Sequence, residues 1–170
     1  CDRAFWGDKT PYNTFFLPEI SAVFPGAKFI GMQRDGCDVV VSYVKAGIYG
    51  DYEAAAHRWI ESNILLERFR EKNAHCLMLL RYEDLIAETD VHLDKVLAFT
   101  GIPKTRDSDN ADAPQATLHD AHTLPHLKKS LAPVDATNSG KGVRILREEA
   151  SEKLRDLMNP WLKKLGYEEI

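Results

Sequence analysis

An α/β fold built on a parallel sheet flanked by helices is predicted for this chain of 170 residues, and three observations predict it. Two short, bounded apolar runs, "AKFIGMQ" and "HCLMLLRY", have the character of strands covered on both faces. The segments between and beyond them carry apolar residues at helical intervals. The resulting order of helix, strand, helix, helix, strand, helix requires crossovers, and crossovers join parallel strands rather than hairpins.

Each element has its own signal. "TFFLPEISAVF" has helical spacing through Phe16, Ile20, Val23 and Phe24, and Pro25-Gly26 ends it. After the first strand comes "DVVVSYVKAG", then the long "DYEAAAHRWIESNILLERFREKN". In that segment Tyr52, Ala55, Trp59, Ile60, Asn63 and Leu66 share one face. The second strand spans His75 to Tyr82, and the amphipathic "DVHLDKVLAFTG" follows, closed by Gly101-Ile102-Pro103. From Lys104 to about Gly142 the composition turns to Asp, Ala, Pro, His, Ser and Thr, which predicts a long loop or lid with short helical turns. "REEASEKLRDLMNPWLKKLGY" then reads as one amphipathic helix through Leu154, Leu157, Met158, Trp161 and Leu165, kinked at Pro160.

These elements fit one domain with a single core; a second full domain is not expected. The net charge is −4 and the longest basic cluster is Lys128-Lys129, which excludes a general polyanion surface of the kind nucleic acid needs. Any anion must be held locally. No apolar run approaches the roughly twenty residues of a membrane span, and no secretion signal opens the chain, so no membrane contact is expected. Cys1, Cys37 and Cys76 are odd in number and lack metal-ligand spacing, which favours free thiols and, by default, a cytoplasmic setting.

The seam in "KFIGMQRDGCDVVVSY" carries the chemistry. Ligands of open α/β sheets collect outside the carboxyl ends of strands, where helix N-termini present backbone amides and a positive dipole end. Arg34 stands at such an end. Asp35 or Gly36 can start the next helix, and Asp35, Asp38 and Ser42 fall on one of its faces. A guanidinium and a hydroxyl converging there can hold a phosphate through a charge-assisted fork and a single donor. On spacing alone, an Arg34–Asp38 salt bridge with Ser42 as an ordinary helix residue accounts for the pattern equally well.

"KFIGMQRDGCDVVVSY" resembles the 3'-phosphate-binding motif of sulfotransferases that use 3'-phosphoadenosine 5'-phosphosulfate (PAPS), where a strand ends in arginine and a serine follows eight residues later. Arg34 and Ser42 match those positions. "WGDKTP" resembles the lysine-containing segment that precedes the motif in carbohydrate and protein sulfotransferases. "LRYEDLI" resembles the family's Tyr-Glu-Asp strand end, "LDKVLAFTGIP" the helix after it, and "LKKLGY" a common chain ending. Their order and spacing, covering most of Gly7 to Gly101, carry the resemblance.

The resemblance implies a nucleotide-kinase-like sulfotransferase fold, PAPS as co-substrate, no required metal, and sulfuryl transfer to an acceptor hydroxyl or amine. It implies that Arg34 and Ser42 bind the 3'-phosphate, that Tyr82 approaches the adenine, and that Lys9 faces the sulfuryl group. A positioned ammonium there would stabilise charge on the bridging oxygen of the leaving phosphate. Read without the family, Lys9 is a surface residue of a polar turn ahead of Pro11, and Tyr82 a strand-terminal residue with Asp84 as a helix cap. Glu83 and Asp84 are read as structural. "SGKGVR" resembles the family's basic glycine segment that closes over the 3'-phosphate, which implies a contact for Lys141; a linker lysine is the other reading.

One family signature has no counterpart: the opening strand, Pro-Lys-Ser-Gly-Thr-like loop and helix that cradle the 5'-phosphosulfate. "NSGKGVR" follows no strand and has no Ser or Thr after its lysine. The favoured explanation is that residues 1–170 are the C-terminal part of a longer domain, inactive or unstable by themselves, with an open sheet edge. The other is a degenerate relative that keeps the nucleotide pocket as a non-catalytic binding or scaffold module. A membrane anchor upstream of Cys1 would change the expected compartment to a Golgi-type lumen. A phosphoryl-transfer enzyme would need a glycine-rich phosphate loop and a magnesium-binding Ser or Thr, which the sequence lacks.

His119, His122 and His126 with Asp120 have suggestive spacing, but Pro125 interrupts any helix that would align them, and no metal site is expected. His57 and Arg58 are read as solvent or packing residues, Cys37 as a small buried residue, and Trp6, Trp59 and Trp161 as packing residues. Trp6, beside Lys9, can also line an acceptor pocket. The acceptor class and the oligomeric state carry no signal in the sequence.

Overall fold

The computed structural model describes residues 5–104 and 139–170. A 3-10 helix, Pro11–Phe16, runs into α1 (Leu17–Val23), followed by β1 (Phe29–Gln33), α2 (Gly36–Lys45), α3 (Tyr52–Asn73) and β2 (Leu77–Arg81). Then come α4 (Tyr82–Ala87), α5 (Thr89–Thr100), α6 (Lys141–Glu149) and α7 (Glu152–Lys164). Strands β1 and β2 pair in parallel, with Phe29 opposite Leu77 and Gln33 opposite Arg81, so α2 and α3 together form the crossover. Among the described residues these two strands are the whole sheet.

The helix starts have local causes. Asp35 caps α2 by accepting a hydrogen bond from the Cys37 amide at 2.7 Å, and Asp51 caps α3 through the Ala54 amide at 2.7 Å. Each satisfies an amide that the helix itself leaves unpaired. Gly101, at φ 73°, ends α5 in the left-handed region that glycine enters without a Cβ clash.

One core joins α2, α3, α6 and α7 around Cys37, Val40, Ala56, Trp59, Leu146 and Met158. At nine residues α6 is too short to persist alone in water, where isolated helices need about 12–15 residues. Burial of Val143 and Leu146 holds it. A smaller core of Leu17, Leu66, Phe69, Cys76 and Leu77 lies between the sheet and α3. Gly31 of β1 is closely packed there: a Cβ would sit 2.8 Å from a Leu79 methyl and 2.9 Å from a Leu66 methyl, and both side chains would have to shift to admit it.

Four expectations are corrected. Strand β1 is not covered on both faces: Phe29 packs edge-to-face on Phe69, whereas Ile30 and Met32 on the opposite face stay 42% and 48% exposed. The first helix buries Leu17, while Phe16, Val23 and Phe24 point to solvent. The C-terminal amphipathic segment is two helices, because Ser151 accepts a hydrogen bond from the Leu154 amide and starts α7 anew. The second of them runs on through Pro160. Lys141 and Gly142, expected in the loop, open α6. The rest of the expected lid, with Lys128, Lys129 and the His119, His122, His126 cluster, lies outside the described residues.

Candidate functional site

Arg34 is the residue immediately after β1, and both neighbouring elements fix it. The indole Nε1–H of Trp59 donates to the Arg34 carbonyl at 3.1 Å, and the next amide, Asp35 N–H, donates to Glu83 Oε1 at 3.0 Å. Gly36 leaves space for the same indole, since a Cβ there would fall 2.7 Å from the ring. The Arg34 guanidinium lies 4.4 Å from the centre of the Tyr82 ring, in cation–π geometry, and 3.4 Å from the Asp38 carboxylate. The salt bridge that the spacing allowed is therefore present, although it is longer than the usual charge-assisted bond of about 2.7–2.9 Å.

Asp38 has closer partners. Its side chain is 3% exposed, and it accepts from the amides of Gly142 at 2.7 Å and Gly140 at 2.9 Å, at the start of α6. Gly142 packs directly on the α2 backbone. Lys141 lies between these two glycines, exposed, as the first residue of α6. Ser42 is one turn beyond Asp38 on α2; it is exposed and its hydroxyl makes no hydrogen bond among the described residues.

A trough of about 450 Å³ runs along the edge of β1 that is unpaired among the described residues, lined by every residue from Lys28 to Arg34. Its other walls include Val39 and Tyr43 of α2, Trp59 and Ser62 of α3, and Lys9 with Thr10 ahead of the 3-10 helix. Among the described residues Lys9, Lys28, Arg34 and Arg58 are its basic residues and Asp8 its acidic one. In a chain of net charge −4 this is a local reversal of sign. The structure thus brings Lys9 and Arg34 to one trough and sets Tyr82 against Arg34. Ser42 and Lys141 lie outside the trough lining, on the α2–α6 side.

Sequence reasoning missed Arg58 and Lys28 as parts of this trough. Arg58 is held by its donation to the Ser62 hydroxyl at 2.8 Å, with its guanidinium 4.1 Å from the Phe15 ring centre. Asn63, 4% exposed in the midst of an apolar stripe, was the available signal. It accepts from Gln33 Nε2 at 3.0 Å and so ties α3 to the end of β1. Trp6 is not a packing residue: it is 74% exposed, meets Phe24 edge-to-face, and does not line the trough. Asp84 does not cap α4, whose N-cap position is Arg81.

The end of β2 meets the C-terminal segment. Arg81 Nη1 donates to the Leu165 carbonyl at 3.1 Å and its guanidinium stacks 4.3 Å from the Tyr167 ring centre. The Tyr167 hydroxyl donates to Glu83 Oε2 at 3.2 Å. Burial pushes the Tyr167 phenol above its ordinary range, and the neighbouring Glu83 charge adds to this. Burial also raises the Asp35 carboxyl, against the opposing hydrogen bond from Cys37. The Cys37 thiol is raised by burial too, so its place near a helix N-terminus does not make it a reactive thiolate. Among the described residues no group of His, Cys, Asp and Glu has metal-site geometry, and no helix is long and apolar enough to cross a membrane.

A parallel α/β layer with a cation-lined trough along a strand that ends in an arginine is an open-sheet arrangement suited to holding an anion. The chain belongs to the sulfotransferase family, whose sequence model matches residues 1–107. Among solved structures it is similar to a "Sulfotransferase Domain from the Curacin Biosynthetic Pathway", with a TM-score of 0.64 and 21% identity, over 96% of this chain and 62% of that one. This likeness establishes the fold, and the chain spans less than two thirds of that domain's length. No curated protein matches the sequence.

Proposed function

We propose that this chain carries the donor-nucleotide half of a PAPS-dependent sulfotransferase. The observation that carries the proposal is the trough: four cations and one carboxylate among the described residues of an otherwise acidic chain, with Arg34 and Lys9 on the same concavity. Arg34 grips the 3'-phosphate with Ser42 as a second donor, Tyr82 lies toward the adenine, and Lys141 approaches from α6. Lys9 faces the sulfuryl group. An acceptor oxygen or nitrogen forms a bond to sulfur as the bond from sulfur to the bridging oxygen breaks. That electron pair stays on the 5'-phosphate, where the Lys9 ammonium stabilises it, and the acceptor's proton passes to solvent water. The products are a sulfate ester or sulfamate and 3'-phosphoadenosine 5'-phosphate.

The 5'-phosphosulfate loop is assigned to polypeptide upstream of Cys1, with a strand that pairs along β1. The β1 edge within the trough, unpaired among the described residues, and the exposed Ile30 and Met32 support this. A strand added there would satisfy the edge, and a helix following it would cover both side chains.

Isothermal titration of the full-length protein tests the reading. Charge-assisted hydrogen bonds contribute about 1.5–3 kcal/mol each, so 3'-phosphoadenosine 5'-phosphate should bind at least about tenfold more tightly than adenosine 5'-phosphate. Equal affinities would remove the role of Arg34. A clear preference without sulfuryl turnover would identify a binding module instead of an enzyme.

A further inference from the structure

Asp38 makes three contacts that no role assigned above explains. It is a buried carboxylate reached by donors from two elements more than 100 residues apart: the Arg34 guanidinium on one side and the Gly140 and Gly142 amides on the other. Buried carboxylates are costly unless paired and hydrogen-bonded, and here the pairing is distributed between the strand end and the start of α6. The helix N-terminus is therefore already occupied by an internal anion and does not offer those two amides to a ligand. What the clamp presents instead is Lys141, the residue between the two clamped amides.

We infer that Asp38 is a positioning residue for the 3'-phosphate grip: its one buried carboxylate orients the Arg34 guanidinium and at the same time clamps α6 so that Lys141 is presented beside it. The inference rests on the nucleotide reading proposed above. It adds that Arg34 and Lys141 act as a unit coupled through Asp38. Without that carboxylate the arginine loses one of its orienting partners, the Tyr82 ring remaining, and the two amides lose their acceptor, so the two cations uncouple even though neither is altered. Asparagine at this position keeps the shape but offers a single carbonyl oxygen where two carboxylate oxygens now accept.

The test is a double-mutant cycle in the full-length protein on Asp38→Asn and Lys141→Ala. The readout is the affinity ratio of 3'-phosphoadenosine 5'-phosphate to adenosine 5'-phosphate, which a purely structural role would not move. Asp38→Asn should lower the ratio about tenfold or more while changing adenosine 5'-phosphate binding less than about threefold. Lys141→Ala should lower the ratio in the wild-type background and have no further effect in Asp38→Asn. Independent, multiplicative effects, or an unchanged ratio in Asp38→Asn, would overturn the coupling. Hydrogen exchange on the wild-type protein provides a second readout that needs no variant: the amides of Gly140, which precedes α6, and of Gly142 within it should exchange as slowly as the slowest amides of α6, and rapid exchange at either overturns the clamp. A wild type with no 3'-phosphate preference but strong protection would refute the nucleotide reading and leave the clamp standing, so the two failures are distinguishable.

Discussion

Replacing Gly142 by alanine places a methyl group against backbone, where nothing can swing aside. The added Cβ would lie 2.3 Å from both the carbonyl carbon and oxygen of Cys37 and 2.4 Å from the Asp38 nitrogen. Ordinary carbon contacts begin near 3.5 Å, so α6 must retreat from α2 by about 1 Å. That retreat stretches the amide bond to Asp38, now 2.7 Å, beyond hydrogen-bond range. Overpacking costs about 1–3 kcal/mol, and loss of one charge-assisted bond to a buried carboxylate about 1.5–3 kcal/mol. Alanine's better helix propensity returns up to about 1 kcal/mol. The steric and electrostatic losses win, leaving a net destabilisation of about 2–5 kcal/mol. Gly140→Ala is the control: nothing lies within 4 Å of its Cβ, and only the positive φ of 78° opposes it, at about 1–2 kcal/mol. Urea unfolding followed by tryptophan fluorescence measures both. A Gly142→Ala cost below 1 kcal/mol, or one smaller than that of Gly140→Ala, would refute the close-approach reasoning.

Trp59→Phe removes the donor to the Arg34 carbonyl and part of the ring that fills the space over Gly36, and should cost about 1–3 kcal/mol in the same unfolding assay. Arg34→Ala in the full-length protein should weaken nucleotide binding by about tenfold or more, whereas Lys9→Ala should lower turnover with nucleotide affinity little changed; unchanged turnover would reject Lys9. Tyr167 predicts an alkaline effect. Its folded pKa lies above the ordinary value near 10, so above that pH the unfolded chain loses the phenol proton first, and stability falls as pH rises. Tyr167→Phe should flatten that fall in melts taken from pH 8 to 11, and an identical slope in both proteins would remove the buried phenol from the account.

What was legible in the sequence was local. The apolar run ending at Arg34, the Asp35 cap and the stripe through Trp59 and Leu66 each depend on residues a few positions apart, and each appears as read. The Asp38 clamp was not legible, because its partners are backbone amides 102 and 104 residues away and an amide leaves no mark in a side-chain pattern. The exposed faces of β1 and of the first helix misled for a related reason. An apolar run records that a surface is meant to be covered, without recording which polypeptide covers it. Arg58 reads as solvated because a charge on a long helix usually is, whereas the Ser62 hydroxyl, the Pro11 carbonyl and the Phe15 ring together hold it at the trough. Ser151, which divides the last two helices, did carry a signal in the run Ser-Glu-Lys-Leu, but the apolar period on either side continued smoothly enough to hide it.

The contact between Asp38 and α6 also bears on how such a chain can diversify. It fixes where the polypeptide must return after α5 but not how far it travels in between. Closing a longer excursion adds only about 0.6 kcal/mol for each doubling of its length. Insertions and deletions between Lys104 and Ser139 are thus inexpensive as long as the returning chain still ends in a glycine that can seat against α2. The length of chain between the two elements can change while the seat of α6 on α2 keeps its dimensions.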